Sequence, residues 1–215
     1  MSSNLTNFQI YDLLNRPHPL WLVKINLTEI TLWNADLSEC NLSHSDLTRA
    51  DLSWCNLIGA NLYKATLNYT NLFESYLSMA NLTEANLSRA NLTRATMDKA
   101  ILIQAILAEA NLSRANLTHA NLNKANLFGT NLTRADLSKT DMIGVNLNSA
   151  NLAMANLFEA NLSNSDLRLV NFENADLTGA NLANANIAGA NLDGADLTDT
   201  IMPDGKKHIL QELHS

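Results

Sequence analysis

The chain has 215 residues, 47% of them apolar, with 14 basic against 21 acidic side chains and a formal net charge of −7. That is enough apolar content to bury a core. No basic start followed by an apolar run marks a secretory signal, and no stretch approaches the ~20 apolar residues of a membrane span. A cytoplasmic location with no membrane partner is expected. Neither of the two cysteines, Cys40 and Cys55, is placed in a metal-like cluster.

Residues 1–19 read as an N-terminal cap. Thr6 followed by Gln9 makes a capping-box pattern, with Leu5 and Ile10 placed as a hydrophobic staple. The spacing predicts a short helix from about Asn7 to Asn15, stopped by Pro17, with Ile10, Leu13 and Leu14 covering the first coil of the repeat region.

From Leu22 to Met202 leucine or a close stand-in falls on every fifth residue, giving 37 units without a gap. Each unit, numbered from a residue ending in 0 or 5, reads small, Asn or Asp, Leu, then two variable residues, as in Ala85-Asn86-Leu87-Ser88-Arg89. Leucines five apart would step about 140° around a helix and leave no apolar face. A plain strand is excluded as well, because its side-chain period is two and five is odd. A short extended piece followed by a corner satisfies the pattern: first and third positions face inward, and the second points away. The first position is Ala in 23 units and the third is Leu in 32, an alternation of small and large suited to a narrow core. Cys40 and Cys55 occupy inward first positions and read as small apolar residues. Six of the seven glycines, among them Gly179, Gly189 and Gly194, occupy the fifth position, where a type II turn needs positive φ. Charged or bulky residues dominate that position between Glu84 and His119, so type II corners are expected mainly in the C-terminal part. A chain turning the same way every five residues winds into a solenoid, and spacing alone leaves open whether three or four corners close a coil.

Residues 205–215 read as a C-terminal tail or cap. Pro203-Asp204-Gly205 is a turn signal, and the segment from His208 to Leu213 has the composition of one helical turn laid over the last rung. Ile209, Leu210 and Leu213 would then either cap the solenoid or meet a second copy, since a terminal repeat must be covered either way.

The run of A-N-L-x-x and A-D-L-x-x units over residues 20–204, with the ending Thr200-Ile201-Met202-Pro203-Asp204-Gly205, resembles the pentapeptide-repeat family of bacterial, often cyanobacterial, proteins. The resemblance implies an all-β fold: a right-handed quadrilateral β-helix (solenoid), four pentapeptides and twenty residues per coil, about nine coils; the terminal segments read above add short helical caps at the ends. It also makes a homodimer through the C-terminal end plausible, as some members pair there.

With twenty residues per coil, residues twenty apart are vertical neighbours. One fifth-position column then reads Trp54, Glu74, Arg94, Arg114, Arg134, Met154. Stacked like charges are costly unless anions compensate, so Arg94, Arg114 and Arg134 form a candidate ladder for an anion or acidic partner, with Lys99, His119 and Lys139 beside it. The alternative is a solvated stripe whose long side chains splay apart. In Ile101-Leu102-Ile103-Gln104-Ala105-Ile106 the asparagine is lost from two successive units. Ile101, Ile103 and Ile106 should project outward as a candidate protein-contact cluster, or simply suit a pleated surface.

Charge is polarised along the chain: −3 over residues 1–83, +3 over 84–139, −8 over 140–204 and +1 over 205–215. Enzyme motifs are lacking, the five histidines are scattered, and no cofactor or metal is expected. The reading is a non-enzymatic interaction or regulatory scaffold for a protein partner, with no direct nucleic-acid binding. Its rival comes from the resemblance, because some members mimic DNA and bind type II topoisomerases, protecting them from quinolones. The acidic last third suits that rival, and the basic band interrupts it.

Overall fold

Every unit but the last, which contains Pro203, carries five backbone N–H groups, and the places they go define the architecture. In Ala85-Asn86-Leu87-Ser88-Arg89, Ala85 N–H closes the preceding corner on Leu82 O (3.0 Å) and Asn86 N–H donates back to Ala65 O (2.9 Å). Leu87 and Arg89 donate forward to Ile106 O (2.7 Å) and Ala108 O (3.0 Å). The fifth donor, Ser88 N–H, is too close to the corner to reach another coil. Asn86 Oδ1 accepts it at 3.1 Å. Asn and Asp therefore dominate the second position because their side-chain oxygen satisfies the N–H two residues on, a local bond that a helix would forfeit. The asparagine amides do a second job, donating to the same position one coil back, as from Asn91 to Asn71 (3.0 Å) and from Asn71 to Asp51 (2.9 Å).

The computed structural model describes Gln9, Asp12, Arg16 and residues 19–208. Parallel bridges join second positions twenty residues apart, from Trp21↔Asn41 to Asn181↔Ile201, so four units complete each turn of a β-helical solenoid. First and third positions fill the interior: Leu37 through Leu182 are essentially inaccessible at the third position, with Met97, Met142 and Phe172 accommodated at the same position of their units. Inward hydroxyls are satisfied by backbone, as in Thr70 Oγ1 to Leu47 O (2.7 Å) and Thr130 Oγ1 to Leu107 O (2.9 Å). Cys40 and Cys55 are buried and not disulfide-bonded. Burial pushes the Cys55 thiol up to about 11, which removes the thiolate needed for reactivity and leaves a small apolar filler.

The corners correct the expectation drawn from glycine placement. All 36 fifth positions from Lys24 to Asp199 have positive φ, and 30 of them are not glycine. Gly179, Gly189 and Gly194 adopt it at 68°, 72° and 68°, but Arg94, Lys99 and His119 do so too, at 57–59°. The hydrogen-bond ladders on both sides demand one corner geometry throughout, and this collective requirement overrides a local penalty of ~1–2 kcal/mol per L-residue.

Of the expected N-terminal helix, Gln9 and Asp12 are helical and Asp12 pairs with Arg16 at 2.6 Å; Asn7, Ile10, Leu13, Leu14 and Asn15 lie outside the described residues. At the other end the chain doubles back instead of stopping at a turn. Gly205 N–H donates to Met202 O (2.9 Å), Met202 N–H to Lys206 O (2.8 Å), and Ile201 and Lys207 form an antiparallel bridge. Gly205, at φ 79°, supplies the left-handed residue such a hairpin needs after a tight turn. The tail residues Ile209, Leu210 and Leu213 lie outside the described residues.

Candidate protein-interaction surface

Outward side chains are held in straight columns by the twenty-residue register, and opposite charges exploit it. Arg49–Glu29 (3.4 Å), Lys64–Glu84 (3.1 Å), Arg89–Glu109 (2.8 Å) and Lys139–Glu159 (3.7 Å) are all ion pairs between adjacent coils. Each is exposed and screened by solvent, so it contributes little to stability.

Arg94, Arg114 and Arg134 occupy one corner of the solenoid. Arg94 Nη1 meets Glu74 Oε1 at 2.8 Å, and Trp54 Nε1 donates to the other oxygen of Glu74 at 3.0 Å. These two bonds, Arg94 first, hold the Glu74 carboxyl below its ordinary value. Further along, Arg134 Nε donates to the Met154 sulfur (3.3 Å), and among the described residues neither Arg114 nor Arg134 has a carboxylate within ion-pair distance. The column thus begins neutralised and ends as two uncompensated guanidinium groups.

Ile101 and Ile106 are each 39% exposed, on adjacent faces of the coil. Ile103 is half-buried at its fourth position, which lies beside the corner between Thr83 and Asn123 of the neighbouring coils. The two exposed isoleucines interrupt the asparagine ladder, being bridged by Asn81 and Asn121 and by Asn86 and Asn126. With isoleucine there, Ile103 and Ala108 N–H lose the side-chain acceptor that the neighbouring units provide.

A third feature escaped the sequence reading. Among the described residues, most of the large apolar side chains that are exposed belong to the first three coils, among them all three tryptophans: Trp21 (78%), Trp33 (61%) and Trp54 (45%). Trp54 stacks edge-on against Phe73 with ring centroids 5.5 Å apart. Ser53 holds an outward fourth position yet is only 2% exposed. It lies between Trp33 and Phe73 in its own column and next to Trp54, so the three rings close over it. Position within the unit was the available signal, since none of these aromatics falls on a first or third position.

At the C-terminal end the core opens: Ile187, Leu192, Leu197 and Met202 are only partly buried. A cleft of ≈ 530 Å³ lies there, with Ile187, Met202, Pro203 and His208 in its wall. Among the described residues no three His, Cys, Asp or Glu side chains are grouped to hold a metal ion, and no helix is long and apolar enough to cross a membrane.

Two family models match the chain. One, for pentapeptide repeats, covers residues 25–63 and 70–107 in eight copies, and one for a pentapeptide repeat region covers residues 115–197. HetL, a pentapeptide repeat protein involved in heterocyst differentiation regulation from the cyanobacterium Nostoc sp., is similar at 32% identity over 96% of this chain and 100% of its own, with a TM-score of 0.33. A pentapeptide repeat protein from the cyanobacterium Cyanothece is 39% identical over 45% of this chain and 63% of its own, with a TM-score of 0.29. QnrB1, a plasmid-mediated fluoroquinolone resistance protein, is 21% identical over 83% of this chain and 91% of its own, at a TM-score of 0.41. No curated protein matches. With the five-residue period, the twenty-residue bridge register and both family models in agreement over most of its length, this chain belongs to the pentapeptide-repeat proteins, a family of right-handed β-helical solenoids.

Proposed function

We propose that this protein is a non-enzymatic, cytoplasmic interaction scaffold of regulatory type, which presents fixed columns of side chains to a protein partner. The rod is taken as a quadrilateral β-helix of about nine coils closed by short end segments. The observation that carries the proposal is the mid-rod interruption: Ile101 and Ile106 give up side-chain bonds that the neighbouring units make and expose apolar surface instead. Fold stability alone favours asparagine at both positions. The test is affinity capture from the native cell, followed by titration of the captured protein against the purified rod and against a variant with Ile101, Ile103 and Ile106 replaced by polar residues. Equal affinity for both rods would refute the assignment.

A DNA-mimic that binds a type II topoisomerase is the second reading, favoured by the −8 charge of residues 140–204 and opposed by the +3 band before them. Purified protein is expected to leave supercoiling unaffected; inhibition below micromolar concentration would reverse the ranking. Whether Ile209, Leu210 and Leu213 cap the rod or join two copies is decided by light scattering, which returns the mass of one chain or of two.

A further inference from the structure

The corner that carries the arginines also carries the aromatic platform, and this continuity identifies a partner chemistry. Trp33, Trp54 and Phe73 form an apolar pad over Ser53 in the first three coils. Glu74 comes after them, already paired with Arg94 and hydrogen-bonded by the Trp54 indole. Arg114 and Arg134 come next along the same line and lack carboxylate partners among the described residues, although four ion pairs elsewhere on the rod, and Arg94–Glu74 on this line, join residues twenty apart. We infer that this edge is a docking site for an extended acidic segment of a partner protein, whose apolar or aromatic side chain sits on the Trp54 pad while its carboxylates meet Arg114 and Arg134. Tryptophan and arginine are the residues most often found at energetic centres of interfaces, and here they share one rigid line. The guanidinium groups favour carboxylates, which they bind through two parallel bonds.

Register sets the spacing of the ligand. At ~4.8 Å per coil, Arg114 and Arg134 lie about 14 and 19 Å from Trp54 along the rod axis. An extended chain advances ~3.3 Å per residue, so acidic residues are required about four and six positions from the apolar anchor. A helix, rising 1.5 Å per residue, would need roughly nine and thirteen, and would lift its intervening side chains off a straight edge.

This inference deepens the scaffold proposal and rests on it. The probe is a fluorescein-labelled peptide in which Phe is followed by Glu four and six residues later, with Gly and Ser between, measured by fluorescence anisotropy at low and physiological salt. The rod is expected to bind it more weakly as salt rises. The double variant Arg114→Gln/Arg134→Gln should lose affinity about tenfold or more, and Trp54→Ala should lose it comparably. Lys124→Gln, on the opposite corner, should bind like the parent. Because both arginines are exposed, the double variant stays folded and remains informative even if Trp54→Ala does not. Equal binding of a peptide with Lys in place of Glu, an equal loss in Lys124→Gln, no binding by the parent rod, or preferential binding of a single-stranded oligonucleotide at the same residues would each overturn the inference. Capture of a partner that depends on Ile101 and Ile106 but not on Trp54 or Arg114 would refute this edge and leave the scaffold proposal standing.

Discussion

Replacing Ala120 by leucine tests the packing logic most directly. Ala120 is 1% exposed, and its inward column places Ala100 in the coil before it and Thr140 in the coil after, both buried. The coils cannot separate to make room, since Asn121 N–H donates to Ala100 O at 2.9 Å and Asp141 N–H to Ala120 O at 3.0 Å on either side of the site. At ~4.8 Å between stacked residues a methyl column fits, and three additional carbons must displace Leu117 or Leu122, which are themselves inaccessible. Overpacking of this kind costs about 1–3 kcal/mol. For a chain of this size each kcal/mol moves the midpoint by roughly 2–4 °C, so a fall of about 2–12 °C is expected in a thermal melt followed by circular dichroism. Thr118→Ala, at a half-buried fourth position, should change it by no more than about 0.5 kcal/mol. A leucine variant that melts with the parent while Thr118→Ala falls would show that the inward and outward assignments are interchanged.

Ile101→Asn with Ile106→Asn should raise stability by about 0.5–1.5 kcal/mol per site, because each asparagine restores an acceptor for the N–H two residues on and a rung of the amide ladder; chemical denaturation measures it, and a loss of stability would remove the case that these isoleucines are kept for binding. Asp141 has one carboxylate oxygen buried without a hydrogen-bond partner while the other accepts from Asn123 at 2.6 Å. Asp141→Asn can donate to Asn121 instead and is expected to stabilise by about 1 kcal/mol in the same assay, an unchanged midpoint being the contrary result. The Glu74 carboxyl is held below its ordinary value of 4.5, so it contributes above that pH and the contribution disappears as pH falls through its lower folded-state value. Tryptophan emission should therefore hold steady down to about 4.5 and change only at lower pH, and Glu74→Gln should abolish the step; a change already complete at pH 4.5 would refute the bonding from Arg94 and Trp54.

Much of the architecture was legible in the sequence because the information is periodic. A small residue and a leucine repeated at an odd spacing of five leave only an extended piece plus a corner, and that arithmetic assigns Ala120, Leu122 and their equivalents to the interior without reference to any contact. The role of asparagine was half legible: its outward position followed from the period, while the bond from Asn86 Oδ1 to Ser88 N–H appears only once the corner is built. Corner geometry was misread, since a residue's own preference for positive φ is worth about a kcal/mol and Arg94 or Lys99 shows no such preference, whereas the ladders above and below act on all corners together. The twenty-residue stacking of Arg94, Arg114 and Arg134 needed the number of corners per coil, which five-residue spacing does not contain. The aromatic pad over Ser53 and the half-burial of Ile103 were decided by tertiary structure alone, because both depend on which side chains from adjacent coils lean across a position, and a column neighbour lies twenty residues away in the chain but only ~4.8 Å away in space.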